Sequence, residues 1–194
     1  MRRFITNGSI LIVILMCATL STYAQNRALR KKPVAPGSGV RAELLSQVDE
    51  MEKKLVALAE AVPQEKYSWR PGEGVRSISE VYMHVADGSC RILRNANFEP
   101  PKILDDDYLE QITDKTKVID LLKLSFQHVR QALKSTTEAN MNKRTKLFGK
   151  ETTYRNVFIT VITHMHEHLG QSIAYARMNN IVPPWTAAQQ QQKN

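Results

Sequence analysis

Cysteine is scarce in this sequence, which has two in 194 residues. Two thiols are too few for a disulfide framework or a four-cysteine zinc site, so both kinds of small stapled domain are excluded. The alternating apolar and polar runs that are typical of strands are nearly absent as well. The remaining composition is ordinary, with 42% hydrophobic and 24% charged residues. It suits one globular domain and excludes wholesale disorder.

Positive charge is in excess, with 27 Lys and Arg against 19 Asp and Glu, a formal net charge of +8. Such an excess permits contact with nucleic acid or an anionic membrane. In the sequence, however, it gathers near the N-terminus, at Arg2 and Arg3 and in the stretch 27–32. The remaining chain is therefore closer to neutral, and no nucleic-acid partner is predicted.

The first 24 residues have the pattern of a secretory signal peptide. Arg2 and Arg3 precede an uncharged apolar run at 10–20, and the small residues Thr22 and Ala24 then form a signal-peptidase site. The apolar run is about 11 residues, short of the roughly 20 that a membrane-spanning helix needs. We therefore predict cleavage after Ala24, no membrane span after cleavage, and a periplasmic or extracellular protein.

Two alternatives remain for this segment. It can stay uncleaved and anchor the protein in the membrane, or it can carry a lipid on Cys17. Met16 is larger than the small residue that usually precedes a lipidated cysteine. Cleavage after Ala24 removes Cys17, so Cys90 becomes the single thiol, which we interpret as a buried apolar residue.

Residues 25–39 are basic and contain Pro and Gly without an apolar period, which predicts a flexible linker. The glutamine-rich segment 187–194 predicts a polar tail. The folded domain is accordingly expected over 40–186.

Four amphipathic helices are predicted within that domain, because apolar residues recur at three- and four-residue steps. Ser77 and Glu80 have the spacing of a capping box at the start of the second helix. A short hairpin-like turn is expected around Gly149. The predicted spans are about 40–61, a second helix starting at Ser77, about 115–134, and a fourth from near Tyr154 to before Pro183. An all-α fold, a four-helix bundle, follows.

The candidate chemistry lies in the histidines, three of which fall at 164, 166 and 168. On a strand all three would share a face, but the apolar stripe through this stretch has a helical period and is too long for a strand. On a helix His164 and His168 lie on one face, with Cβ atoms about 6 Å apart, close enough to share a metal. His166 turns away. The metalloprotease motif fails because residue 170 is Gly.

Two histidines do not complete a divalent metal site, so a third ligand is expected from another helix. His84 on the second helix and His128 on the third are the two candidates. Each histidine alone is more often a hydrogen-bonded structural residue than a ligand. The spacing of His164 and His168 favours the metal interpretation.

Three polar residues lie close to these histidines in the sequence. Gln171 follows His168 by three residues and is a candidate to orient that ring. Glu167 and Asp87 are interpreted as solvated helix carboxylates, with a role beside a metal as the alternative. No catalytic residue is assigned from the sequence.

Around these histidines the sequence resembles the DinB/YfiT-like family of metalloenzymes. His84 lies in one of the matching stretches, and His164 and His168 lie in the stretch resembling the family's fourth-helix signature. Leu169 stands where the family commonly has Arg. The matching stretches are distributed over most of the predicted mature chain, at 61–63, 67–71, 74–81, 84–86, 164 with 168–171, and 175–185.

The resemblance implies an up-up-down-down bundle with a divalent metal held by His84, His164 and His168 and with open coordination positions. Family members include thiol-cofactor-dependent transferases and an isomerase, and homodimers are common. Zinc or nickel is the expected metal, with iron or manganese as alternatives.

Two functions are therefore carried forward. The first is an exported metal-dependent enzyme, a hydrolase or a thiol-dependent transferase acting on a small molecule. The alternative is a non-catalytic exported bundle that binds metal or a small ligand, or dimerises.

Overall fold

The computed structural model describes residues 39–106 and 108–192. The predicted signal peptide, residues 1–24, and nearly all of the predicted linker lie outside this range. Among the described residues, none of the helices combines the length and the hydrophobicity that a membrane-spanning segment requires. The main elements are helices α1 Val40–Ala61, α2 Ile78–Arg94, α3 Lys115–Ser135, α4 Tyr154–Met178 and α5 Pro184–Gln191, and strands β1 Arg144–Leu147 and β2 Lys150–Thr153.

Each long helix begins where a side chain can accept hydrogen bonds from its first backbone N–H groups. Ser77 and Glu80 form the predicted capping box of α2. Asp114 and Thr153 cap α3 and α4. The cap of α1 comes from elsewhere in the chain, because the Glu138 carboxylate accepts from the first two N–H groups of that helix. The local caps of α2, α3 and α4 explain why the predicted starts of these three helices agree closely with the structure.

The core lies where α1 and α2 each pack against both α3 and α4. The predicted apolar stripes face inward, and burial of each large side chain stabilises the fold by about 1.5–3 kcal/mol. The predicted fold class, an all-α four-helix bundle, is confirmed. The largest fully buried side chains include Tyr67, Tyr82, Phe126, Phe158, Met51 and Leu55.

The directions of α1 and α3 follow from hydrogen bonds at both of their ends. Lys115, the first residue of α3, donates its ammonium to the carbonyls of Glu60 and Val62 at the end of α1. Glu138, just beyond α3, caps the start of α1. The two helices are therefore antiparallel.

Tyr67 fixes the direction of α2 relative to α1. Its hydroxyl donates to the Ala59 carbonyl, while its own carbonyl accepts from the N–H of Ser79. The start of α2 thus lies beside the end of α1. At the same end of the bundle, the Trp69 ring packs edge-on against Tyr175, 5.6 Å away, near the end of α4.

These contacts give the helix order up-down-down-up, which differs from the up-up-down-down order expected from the resemblance. The apolar periodicity identifies which face of each helix is buried, but it does not specify the direction of the helix. The connection 62–77 folds back through Tyr67 and so reverses the chain at α2. The next connection, 95–114, must then return along the length of α2, about 25 Å at 1.5 Å per residue.

A two-stranded hairpin precedes α4, as the turn around Gly149 predicts. β1 and β2 pair antiparallel, from Arg144 with Thr153 to Leu147 with Lys150. Helix α5 extends through residue 191, so most of the segment expected as a polar tail, 187–194, is helical.

Candidate metal centre

Three imidazole rings meet between α2 and α4. The ring centroid of His84 lies 5.2 Å from that of His164 and 4.8 Å from that of His168, and the latter two are 4.6 Å apart. One nitrogen from each ring can be chosen so that all three lie within 4.8 Å of one another. The helical interpretation of the histidine stretch is therefore correct, and this group of residues could hold a metal ion.

The other two histidines lie elsewhere. His128, the rival third ligand, is buried on α3, where burial lowers the pKa of its ring and a hydrogen bond with the backbone of Phe98 opposes that shift. His166 is exposed, and its ring nitrogen lies 2.9 Å from the Ile162 carbonyl one turn earlier. The structure thus brings His84, and not His128, to the pair on α4.

Glu110 holds the ring of His84. Its carboxylate lies 2.8 Å from Nδ1 of His84, and its other oxygen accepts from the guanidinium of Arg76 at 2.9 Å. Burial acts to raise the pKa of Glu110, but these two hydrogen bonds lower it below its usual value. With Nδ1 donating to the carboxylate, Nε2 of His84 keeps its lone pair.

The ring of His168 is held by an amide instead. Its Nδ1 lies 2.8 Å from Oε1 of Gln171, whose amide nitrogen donates to the Tyr175 hydroxyl at 2.9 Å. The predicted contact of Gln171 with His168 is therefore present in the structure. As with His84, a donating Nδ1 leaves Nε2 free to bind another group.

The position of His164 depends on the absence of a side chain at Gly88. A Cβ atom there would lie 2.5 Å from Cε1 and 2.8 Å from Nε2 of the ring. Burial, followed by the charges of His168 and His84, lowers the pKa of His164 to about 4. Its Nδ1 is buried without a hydrogen-bond partner in the described structure. A buried nitrogen that stays neutral and lacks a protein partner is compatible with metal binding.

Two carboxylates approach His84, because Asp87 and Glu110 form a second group with it that is close enough to hold a cation. Both carboxylates already have arginine partners, with Nε of Arg91 3.1 Å from Asp87 and Nε of Arg76 2.9 Å from Glu110. Burial raises the pKa of Asp87. The arrangement therefore favours the three imidazoles as the ligand set, with the carboxylates around it.

A cavity of about 620 Å³ opens beside the histidines, between α2 and α4. Its lining includes His84, Gly88 and His164. Ile92 and the exposed Phe148 at the hairpin tip add apolar surface. The volume is large enough for a small molecule with direct access to the imidazoles.

Charged and polar groups surround the histidines on two sides. Glu167, which the sequence suggests is a solvated carboxylate, is exposed and lines the 620 Å³ cavity. A second cavity, about 510 Å³, is lined by Arg70, Arg76, Glu110 and Gln171. The residues that hold the rings of His84 and His168 thus face this second cavity.

Cys90 takes no part in the site. It is fully buried, and burial raises the pKa of its thiol to about 12. A thiol in that state is not a nucleophile at neutral pH. The interpretation of Cys90 as a buried apolar residue is confirmed.

Sequence reasoning missed Glu110 and Gly88. Glu110 lies 26 residues from His84, in a connection without apolar period, and the capping and spacing rules do not mark it. Gly88 lies one turn beyond His84 on α2, and its importance depends on how closely α4 approaches. A glycine inside an otherwise strong helix was the one signal available for it.

The fold and the sequence are similar to those of known proteins. A family model described as the DinB superfamily matches residues 47–172. A DinB-like protein from Bacillus cereus is 19% identical with a TM-score of 0.64, covering 73% of this chain and 93% of its own. The DinB-like protein YjoA from Bacillus subtilis is 22% identical with a TM-score of 0.56, covering 71% and 92%.

A third solved structure, from Exiguobacterium sibiricum and assigned to the DinB family, is 21% identical with a TM-score of 0.55, covering 74% of this chain and 93% of its own. At these identities the structures show a shared fold. No functionally curated protein matches the chain in sequence. Because the family model spans more than half of its length, this protein belongs to the DinB superfamily.

Proposed function

We propose that this protein is an exported metal-dependent enzyme that holds one divalent ion with His84, His164 and His168 and acts on a small molecule, as a hydrolase or a thiol-dependent transferase. The observation that carries the proposal is the convergence of the three rings within 5.2 Å. Because Glu110 and Gln171 accept from Nδ1 of His84 and His168, the Nε2 atoms of these two rings stay free.

The chemistry of the donor set favours zinc or nickel. Three neutral imidazoles suit zinc, nickel, copper and iron, whereas manganese prefers carboxylate and carbonyl oxygens. Iron and manganese remain the alternatives. The carboxylates of Glu110 and Asp87 lie close by, but each is paired with an arginine.

When bound, a divalent ion held by three imidazoles supplies a Lewis acid that lowers the pKa of a coordinated water or thiol. The protein's own residues would orient the substrate. The apolar surface of Ile92 and Phe148 can pack against the apolar part of the substrate. Glu167, in the same cavity, can act as a general base. The location of the cavity beside His164 makes this arrangement feasible.

Metal content tests the ligand set. Elemental analysis of purified wild-type protein, His168→Ala and the matched control His166→Ala should give one metal per chain in wild type and control. His168→Ala should lose most of it. His166 is a suitable control because it lies on the same helix with an exposed ring. Equal metal content in all three proteins would refute the proposed site.

Activity separates the two functional hypotheses. The metal-loaded and chelator-treated proteins should be compared on ester and amide substrates and on electrophiles supplied with small thiols. We expect the metal-loaded protein to turn over at least one of these substrate classes. Chelation should abolish this turnover, and returning the metal should restore it. A protein that binds one metal but turns over none of these classes would support the non-catalytic, metal-binding alternative.

We propose export with cleavage after Ala24, on the strength of the signal-peptide pattern at 1–24. Fractionation of expressing cells and N-terminal sequencing should find a secreted chain that begins at Gln25. An Ala24→Arg variant, which disrupts the cleavage site, should retain its N-terminus. An intact 22.1 kDa chain in the cytoplasm would contradict export.

We also propose that the protein forms a homodimer, as the family resemblance implies. Analytical ultracentrifugation at micromolar concentration should give twice the mass of one chain. A monomer at all concentrations would contradict this proposal without affecting the metal site.

A further inference from the structure

The three histidines of the metal centre differ in what holds their rings. His84 contacts a carboxylate, His168 contacts an amide, and Nδ1 of His164 has no partner in the described structure. A carboxylate that accepts from Nδ1 does more than an amide, because it also stabilises positive charge on the ring and makes Nε2 a stronger donor to a metal. His84 is thereby distinguished from the other two.

We propose that Glu110 is a positioning residue that locks His84 with Nε2 toward the other two histidines and strengthens its binding to metal, an inference that rests on the proposed metal site. Arg76 holds the second carboxylate oxygen at 2.9 Å and so fixes the carboxylate in this orientation. The result is a chain of two charge-assisted contacts from Arg76 through Glu110 to His84.

Partial burial strengthens the contacts from Arg76 through Glu110 to His84. The His84 side chain is 14% exposed and that of Glu110 is 35% exposed, so the contact between them is partly shielded from water. Arg76, at 42% exposure, lies at the outer end. A hydrogen bond shielded in this way orients a ring more firmly than one made at the surface, because water competes less for either partner.

A second metal ion bound by His84, Asp87 and Glu110 is the competing interpretation of the same atoms. It requires a cation to displace Arg76 from Glu110 and Arg91 from Asp87, since both arginines already neutralise the carboxylates. It also requires Nδ1 of His84 to give up its proton. The interpretation of Glu110 as a residue that positions His84 needs neither change and therefore fits the observed contacts better.

The connection 95–114 delivers Glu110 to the site. This segment is held at two other points, since Asp105 pairs with Arg94 on α2 and the Thr113 carbonyl accepts from Gln64 in the connection 62–77. Glu110 can thus be altered without releasing the whole segment. Conversely, Asp105 can be altered to loosen the segment without touching His84, which provides a matched control.

The experiment measures zinc affinity by competition with a chromogenic chelator and records the visible spectrum of the cobalt-substituted protein. Glu110→Gln should bind zinc about 10–100-fold more weakly than wild type, with an altered cobalt spectrum and an unchanged melting temperature of the apoprotein. Asp105→Asn should retain wild-type affinity and spectrum. Arg76→Gln should weaken binding less than Glu110→Gln.

Three outcomes would overturn the inference. Equal zinc affinity in wild type and Glu110→Gln would show that the carboxylate does not act on His84. An equal loss in Asp105→Asn would show that order in the connection is what matters. Two zinc ions in wild type and one in Glu110→Gln would make Glu110 a ligand. If wild type binds no metal at all, the proposed function itself fails, which is a separate result.

Discussion

Gly88 and His164 are in contact across the interface between α2 and α4. The imidazole occupies the space in which a side chain at position 88 would begin, since a Cβ there would lie 2.5 Å from Cε1. His84 lies one turn earlier on α2. The close approach of the two helices at Gly88 is therefore part of what brings His84 to the histidine pair on α4.

Gly88→Ala should disrupt the metal centre more than the fold. The added methyl group forces the ring of His164 to move, which should weaken metal binding at least about tenfold. Overpacking costs about 1–3 kcal/mol, while alanine gains up to about 1 kcal/mol in helix propensity. We expect a net loss of about 1 kcal/mol in the unfolding free energy of the apoprotein, measured by urea denaturation, with metal affinity measured by chelator competition.

Gly170→Ala is the matched control for that experiment. Gly170 also lies within a helix, but it is exposed and a Cβ there would meet nothing within 4 Å. Its replacement should stabilise the protein by about 0.5–1 kcal/mol and leave metal affinity unchanged. Wild-type metal affinity in Gly88→Ala would mean that the contact with His164 is not important.

The helices of this fold could be predicted because their signals are local. The stripe containing Leu44, Val48 and Met51 identifies α1, and the capping box at Ser77 and Glu80 locates the start of α2. Helix direction could not be predicted in this way. It depends on tertiary contacts of the connections, such as those made by Tyr67, which no periodicity records.

The candidate site, like the fold, could be predicted from the sequence only where the signal is local. The spacing of His164 and His168 was sufficient to predict a pair on one helix face. The choice of His84 over His128 needed the family resemblance, because each lies at a plausible place on its own helix. Glu110 depends on the path of a 20-residue connection, and Gly88 on the distance between two helices. Neither property is encoded in a short pattern.

Cys90 should be unreactive in the folded protein. It is fully buried with a thiol pKa of about 12, so both access and thiolate formation are suppressed. In a Cys17→Ser background, a thiol reagent at neutral pH should leave the native protein unlabelled and add one label per chain in denaturant, as read by mass spectrometry. Rapid labelling of native protein would show that the core around α2 opens readily.

The apoprotein should lose stability as the pH falls, in part through His128. Burial lowers the pKa of this ring below 6.5, so the unfolded chain takes up the proton more readily than the folded one. The contribution of neutral His128 to the unfolding free energy is fully present above about pH 6.5 and declines as the pH drops below that value. His128→Gln should show a smaller decline in unfolding free energy between pH 7 and pH 5 than wild type, in parallel urea titrations.

His166→Gln is the control for that comparison, because the ring of His166 is exposed. It controls for the effect of a His→Gln substitution as such. Contributions from His84 and His164 are common to all three proteins and cancel when the curves are compared. An identical decline in wild type and His128→Gln would rule out His128 as a source of acid sensitivity.

Glu138 should stabilise the start of α1 although it is almost 100 residues away in sequence. Its carboxylate accepts from the N–H groups of Val40 at 2.8 Å and Arg41 at 3.1 Å, and it carries negative charge at the positive end of the helix. Gly39 leaves room for this approach, since a Cβ there would lie 3.0 Å from the carboxylate carbon. Glu138→Ala should therefore lower the unfolding free energy by about 0.5–2 kcal/mol, the cost of losing a helix cap.

The loss should be visible as a lower midpoint in urea with an unchanged slope, because the cap does not alter the surface exposed on unfolding. Glu65→Ala removes a carboxylate from an exposed position in the connection between α1 and α2 and should change stability by no more than about 0.5 kcal/mol. Metal affinity should be unaffected in both variants, because α1 contains no histidine and contributes no ligand to the site. Stability equal to wild type in Glu138→Ala would mean that water replaces the carboxylate at the helix start, so that the first turn of α1 is held by packing alone.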